Sequence, residues 1–182
     1  AFQAMLEAGC EAMPGGFSVK IRLGMKDSST LRTRAPLLAQ YPLREIIVHP
    51  RTAVQMYGGS ADIDAFASIL PLLAAPVVYN GDIRTVNDYA NIVTRFPRLA
   101  GVLLGRVLLS DPLLAVHIRA WEDDGRGRVG TLPRDPRRVA DFATALYAEY
   151  RASLFGPSPV LGRMKELWGY LHESLENGPE LL

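Results

Sequence analysis

The sequence predicts an α/β fold, with four consecutive strand-and-helix units building a parallel sheet and an all-α segment following it. Three observations carry this. Four short apolar segments, rich in β-branched residues, run over Ser18–Gly24, Glu45–His49, Pro76–Asp82 and Gly101–Arg106. Their starts lie about 25 to 31 residues apart, the repeat of a β/α unit. The last three are nearly continuous apolar runs, as parallel strands covered on both faces should be, whereas a half-exposed antiparallel strand alternates. After Leu109 the pattern turns to helical periodicity without strands.

Taken in order, Ala1 to Met13 reads as an amphipathic helix already in progress, with Phe2, Met5, Leu6 and Cys10 roughly on one face. In the first strand, alternation puts Lys20 on the face of Arg22 and opposite Val19 and Ile21. The second strand ends at His49, with Pro50-Arg51-Thr52 after it. A helix over Asp62–Leu73 turns Ile63, Phe66, Ile69, Leu70 and Leu73 inward, and another over Val86–Phe96 does so with Val86, Tyr89, Val93 and Phe96, capped by Thr85. Asp111-Pro112, Asp135-Pro136 and Ser158-Pro159 each place a capping side chain before a proline, the signature of a helix start. The middle one opens a helix burying Val139, Phe142, Leu146 and Tyr150, and Gly125–Gly130 reads as a loop. The domain boundary falls between Asp111 and Asp123. Parallel strands joined by helices leave two architectures, a closed barrel and an open doubly wound sheet, and both bind ligands at the carboxyl ends of the strands.

Composition narrows the function. At 182 residues and 48% hydrophobic the chain can bury a core, and no apolar run approaches the roughly 18 residues of a membrane span. The first residues lack the basic-then-apolar order of a secretory signal, so the expected compartment is the cytoplasm. One cysteine allows neither an internal disulfide nor a multi-thiolate metal site, and a net charge of +1 restricts any polyanion to a local patch.

The polar residues gather at strand ends. Asn80-Gly81-Asp82-Ile83 follows the third strand and Gly105-Arg106 the fourth. Glycine lets backbone approach a phosphate, neighbouring N–H groups donate to its oxygens, and Arg106 adds charge and a planar donor fork. Lys20, inside a sheet, needs an anionic or π partner, such as an electron-rich flavin ring. His49 can donate to a ring edge or a phosphate, and Arg51 can meet a phosphate or fix the loop after it. Cys10, on an apolar helix face with no histidine nearby in sequence, reads as core packing. No carboxylate pair, metal cluster, P-loop or dinucleotide fingerprint is present, so the chemistry belongs to a cofactor.

Val19-Lys20-Ile21-Arg22-Leu23-Gly24, Val48-His49-Pro50-Arg51-Thr52 with Gln55 and Tyr57, Asn80-Gly81-Asp82-Ile83, Gly105-Arg106 and Leu161–Leu171 together resemble the second half of the tRNA-dihydrouridine synthases. The resemblance implies the second half of a (β/α)8 TIM barrel over residues 1–115, binding FMN, and a helical tRNA-binding domain over 116–182. It implies that NADPH reduces the flavin, which then reduces the C5=C6 bond of uridines in tRNA. By position, Lys20 and His49 contact the isoalloxazine, Asn80, Gly81, Asp82, Gly105 and Arg106 hold the ribityl phosphate, and Arg51, Arg163 and Lys165 meet RNA. For Arg163 and Lys165 the plainer reading is a solvated helix face opposite Met164, Leu167 and Leu171; Trp168 and Tyr170 read as packing residues.

That family's general acid is a cysteine in an Asn-x-Gly-Cys-Pro loop, which does not occur here, and Cys10 stands in Ala-Gly-Cys-Glu-Ala. The chain is therefore expected to be the C-terminal part of such a synthase, with no catalytic residue of its own and inactive alone. Two other readings are another FMN-barrel oxidoreductase, of the dihydroorotate or dihydropyrimidine dehydrogenase type, and a non-catalytic module binding RNA or a protein partner. A half barrel exposes strand edges and an apolar interior, so the chain is expected to self-associate. Sedimentation should show species heavier than the 20.0 kDa chain, and a stable monomer would overturn this.

Overall fold

The computed structural model describes residues 1–125 and 135–175. They fall into two compact units, Ala1–Asp82 with Val93–Leu103, and Ile83–Ile92 with Leu104–Leu182. In chain order the elements are α1 (Phe2–Ala12), β1 (Ser18–Gly24), α2 (Ser29–Leu38), β2 (Glu45–Thr52), α3 (Ile63–Ile69), β3 (Val77–Tyr79), α4 (Val86–Arg95), β4 (Gly101–Val102), α5 (Val107–Ser110), α6 (Leu114–Asp123), α7 (Pro136–Ser153) and α8 (Pro157–Leu171). The four strands pair in parallel in the order β1-β2-β3-β4. A doubly wound sheet reverses its strand order at a switch point; this one advances in a single direction, as the wall of a β/α barrel does.

The register divides the first unit's sheet into two faces. Val19 aligns with Ile46 and Val77, and Val48 with Tyr79. These side chains are buried, with α2 packed on β1 through Leu31, Ala35 and Leu38, and α3 on β2. Phe66 of α3 stands edge-on to both Tyr79 and Phe96, with ring centroids 5.1 Å away in each case. The other face carries Lys20, Ile47 and Val78 in one row, and Arg22 beside His49 in the next. Lys20 is exposed there while its neighbour Val19 is buried, which is the alternation expected of β1.

Several boundaries differ from those read in the sequence. β2 does not stop at His49 but runs to Thr52: after a register shift between Arg22 and Gly24 its pairing with β1 resumes at Gly24 and Thr52. Ala53 then donates to Gly24 O and Val54 to Met25 O. β3 and β4 are shorter than their apolar runs, and the last β3–β4 link is Leu103 N–H to Tyr79 O at 2.8 Å. Asp62 caps α3 by accepting from Ala65 N–H, but the α-helix gives way at Leu70 to a 3-10 turn over Leu70–Leu72, because Pro71 has no N–H to continue it. Leu6 is the fully buried residue of α1, whereas Met5 is 51% exposed.

In the second unit, Leu113, Val139, Leu167 and Leu171 form a core flanked by Phe142, Ala143, Leu146, Met164 and Trp168. Asp135 caps α7 as expected, accepting from Arg137 N–H. Asp111 instead caps a single turn, accepting from Leu113 N–H, so α6 starts only at Leu114. α8 starts at Pro157, ahead of Ser158-Pro159, because Gly156 at φ 84° turns the chain directly into it. The boundary expected at 115/116 would cut α6. Ile83–Ile92 joins this unit instead, since Tyr89 of α4 packs edge-on to Trp121 and its hydroxyl donates to Glu122. Thr85 and Asp88 cap α4 reciprocally. Of the expected loop Gly125–Gly130, all but Gly125 lies outside the described residues. No helix among the described residues is long and apolar enough to cross a membrane.

Phe66→Ala should cost about 3–5 kcal/mol by removing two ring contacts from a sealed position, whereas truncating the fully exposed Phe155 should change stability by less than about 0.5 kcal/mol. Urea unfolding of both variants checks this.

Candidate active site

The second face of the first unit's sheet carries Lys20, Arg22 and His49 beside the apolar Ile47 and Val78. Arg22, register partner of His49, donates from Nη1 to Thr52 O at 2.9 Å and Met56 O at 2.6 Å, and its guanidinium lies over the Tyr57 ring at 5.5 Å. The Tyr57 ring is 6.4 Å from that of His49. The segment after β2 is thereby pinned across the strand ends, with Met56 in the left-handed region at φ 50°. Thr52 and Gln55 exchange side-chain and backbone hydrogen bonds within it. Lys20 makes no hydrogen bond or ion pair among the described residues.

Arg51 is only 5% exposed and engages all three guanidinium nitrogens inside the protein. Nε donates to Gly58 O at 3.3 Å, Nη2 to Gly59 O at 2.8 Å and to both Asp82 oxygens at 2.9 and 2.7 Å, and Nη1 lies 3.2 Å from His49 Nε2. Of the two roles open to it in the sequence, the contacts in this structure are those that fix the loop. Asp82 also accepts from Ala61 N–H at 2.8 Å. Its carboxylate therefore faces a cation and an N–H.

Burial pushes the His49 imidazole down to a pKa of about 4, reinforced by the charges of Arg22, Lys20 and Arg51 and opposed by Asp82. The ring is neutral at physiological pH. Tyr79 moves the other way, raised to about 12 by burial first and by Asp82 next.

Asn80 and Gly81 are placed by their neighbours. Asn80 donates from its side-chain amide to Leu103 O at 2.8 Å, tying the ends of β3 and β4 together. A Cβ at Gly81 would fall 2.1 Å from the Tyr79 hydroxyl oxygen, so this position requires glycine because the chain lies directly against that ring. Gly105 and Arg106 belong to the second unit, with Gly105 in open space and Arg106 at the start of α5. Arg163 and Lys165 are exposed on α8, where Arg163 pairs with Glu166 at 2.9 Å.

The structure thus gathers Lys20, His49, Arg51, Asn80, Gly81 and Asp82 in the first unit, and adds Arg22, Tyr57 and Tyr79, to which sequence reasoning gave no site role. Arg22 had a legible signal, since it stands two residues from Lys20 on one strand. Free cationic charge at Lys20 and a buried neutral imidazole on one sheet face suit a planar, electron-rich, anionic group, and in that sense the residues fit a flavin.

A single-direction β/α sheet is the wall of a barrel. The chain belongs to the dihydrouridine synthase family: residues 1–149 match the model described as Dihydrouridine synthase (Dus). The sheet is accordingly part of a TIM barrel. The chain is 31% identical over 172 residues to a tRNA-dihydrouridine(16) synthase of Cupriavidus necator, covering 93% of this chain and 51% of that protein. It is 32% identical over 180 residues to one of Ralstonia nicotianae, covering 93% and 51%. It is 32% identical over 184 residues to a probable tRNA-dihydrouridine synthase of Rickettsia conorii, covering 97% and 52%. The chain spans about half the length of these relatives.

A histidine with pKa near 6.5 when unfolded and about 4 when folded binds its proton more readily in the unfolded state, so its neutral form stabilises the fold above that window and the contribution is lost as pH falls through it. Between about pH 7.5 and pH 4.5, wild type should lose on the order of 1–2 kcal/mol more urea stability than His49→Gln. Equal losses would contradict the burial of a neutral ring.

Proposed function

We propose that this chain works in a cytoplasmic, FMN-dependent tRNA-dihydrouridine synthase, which uses NADPH to reduce the C5=C6 bond of uridine at position 16. The observation that carries the reading is the union, in a member of this family, of Lys20, Arg22 and His49 on one sheet face. The names of the Cupriavidus necator and Ralstonia nicotianae relatives support position 16. Family membership favours this reading over a dihydroorotate or dihydropyrimidine dehydrogenase.

When bound, FMN supplies the two-electron reduction of the uracil ring. Lys20 would bring a compact positive charge to the isoalloxazine, and His49 would offer a neutral donor to the ring edge. In the first unit, the backbone at Gly81, lying against the Tyr79 ring, would hold the ribityl phosphate, while Asn80 and Asp82 shape that loop through Leu103 and Arg51. In the second unit, Gly105 and Arg106 supply open backbone and a cation for the same phosphate chemistry, and the helical region carries Arg163 and Lys165 as phosphate contacts for tRNA.

The proton for uridine C5 comes from a cysteine loop of the Asn-x-Gly-Cys-Pro type. No such loop occurs in these 182 residues, and Cys10 is a half-buried side chain of α1. These residues alone therefore bind cofactor without turning over, and they self-associate through sheet edges.

Titrating the chain with FMN and following flavin fluorescence should give saturable binding that Lys20→Met weakens about tenfold or more, roughly 1.4 kcal/mol. With NADPH and unmodified tRNA added, mass spectrometry should find no dihydrouridine. Flavin binding that ignores Lys20, or dihydrouridine formed by the chain alone, would each overturn the corresponding part.

A further inference from the structure

We propose that Arg51 and Asp82 are positioning residues that fix His49 in a single tautomer, with its proton on Nδ1, so that this N–H is the donor the imidazole presents to a bound heterocycle. The identity of that heterocycle as a flavin rests on the function proposed above; the tautomer does not.

The argument is one of donor and acceptor inventory. A guanidinium has five N–H donors and no acceptor, and it stays charged throughout the accessible pH range. Arg51 Nη1 lies 3.2 Å from His49 Nε2. Only a lone pair on Nε2 makes that contact a hydrogen bond, and a neutral imidazole with a lone pair on Nε2 carries its proton on Nδ1. The other two states both fail. The opposite tautomer and the imidazolium would each point an Nε2–H at a cation, with no acceptor between them.

Arg51 cannot turn away from this contact. Its Nη2 is held by both oxygens of Asp82 and by Gly59 O, and its Nε by Gly58 O, with the side chain 6% exposed. Asp82 is in turn held by the N–H of Ala61. An ordered chain of donors and acceptors thus runs from Ala61 through Asp82 and Arg51 to His49, and each link sets the polarity of the next.

The far end of the chain is left open. His49 is 7% exposed, yet its Nδ1 has no acceptor among the described residues. A buried N–H without a partner is uncommon enough to require one, and a carbonyl oxygen or ring nitrogen of a planar heterocycle has the right character. Histidines oriented by a carboxylate alone hold a proton toward that carboxylate. Here an arginine stands between the two, which inverts the tautomer.

The test is two-bond proton–nitrogen NMR on the nitrogen-15-labelled 182-residue chain, which has only 3 histidines, with His49→Gln to assign the signal. Wild type should show a protonated Nδ1 and a lone-pair Nε2 at His49. Arg51→Met should reverse the tautomer ratio toward the Nε2–H form that free neutral imidazoles favour, while Arg51→Lys, which keeps a donor, should retain the Nδ1–H form. Asp82→Asn, which leaves Arg51 in place but loosens it, should give a mixture. A protonated Nε2 in wild type overturns the proposal without need of any variant, and so does an unchanged ratio in Arg51→Met. Adding FMN then separates the two readings. If FMN binds and the Nδ1 proton signal stays still, the donor role is wrong. If FMN does not bind at all, the flavin reading fails while the wild-type spectrum still decides the tautomer.

Discussion

The ion pair between Arg51, which is buried, and Asp82, which is not, is the interaction on which the carboxyl end of the first unit's sheet depends. The pair ties the end of β2 to the segment following β3, and Ala61 N–H, from the segment after β2, joins the same carboxylate. Such a pair returns little net stability, since the arginine leaves water while the aspartate stays partly hydrated and screened. What it confers is order. Once Arg51 is held, the carbonyls of Gly58 and Gly59 have fixed donors, and the segment between β2 and α3 has one conformation in place of many. Arg22 closes the same segment from the β1 side through Thr52 and Met56.

That arrangement explains which parts of the molecule were legible in the sequence. The strands were, because parallel strands covered by helices must be apolar along their length, and the faces of β1 followed from a two-residue period. Lys20 exposed beside the buried Val19 is the direct outcome. Helix starts were legible where a side chain alone makes the cap, as at Asp62, Thr85 and Asp135. They were not where backbone geometry decides, as when Gly156 turns the chain into α8 two residues early. The extension of β2 to Thr52 depends on pairing with Gly24, a partner that no local pattern reveals.

The candidate site was legible as a set of residues but not as a set of roles. Residue type says that Arg51 is cationic and Asp82 anionic; it does not say that they neutralise one another before any ligand arrives. Gly81 was singled out for close approach of backbone to a phosphate; the neighbour that leaves no room for a Cβ in the structure is the Tyr79 ring beneath it. Roles of this kind are set by distances across the sheet, and a linear sequence carries those only through the fold.

The two ends of the Arg51–Asp82 pair meet the surroundings unequally: the arginine side chain is 6% exposed and the aspartate 37%. Dissolved ions and protons therefore reach the pair from the carboxylate side, where screening acts, while the guanidinium and the imidazole behind it sit in a drier, less polarisable setting. The polar network is shielded like an insulated wire with one bared terminal. Whatever the solvent does to His49 by this route, it does first to Asp82.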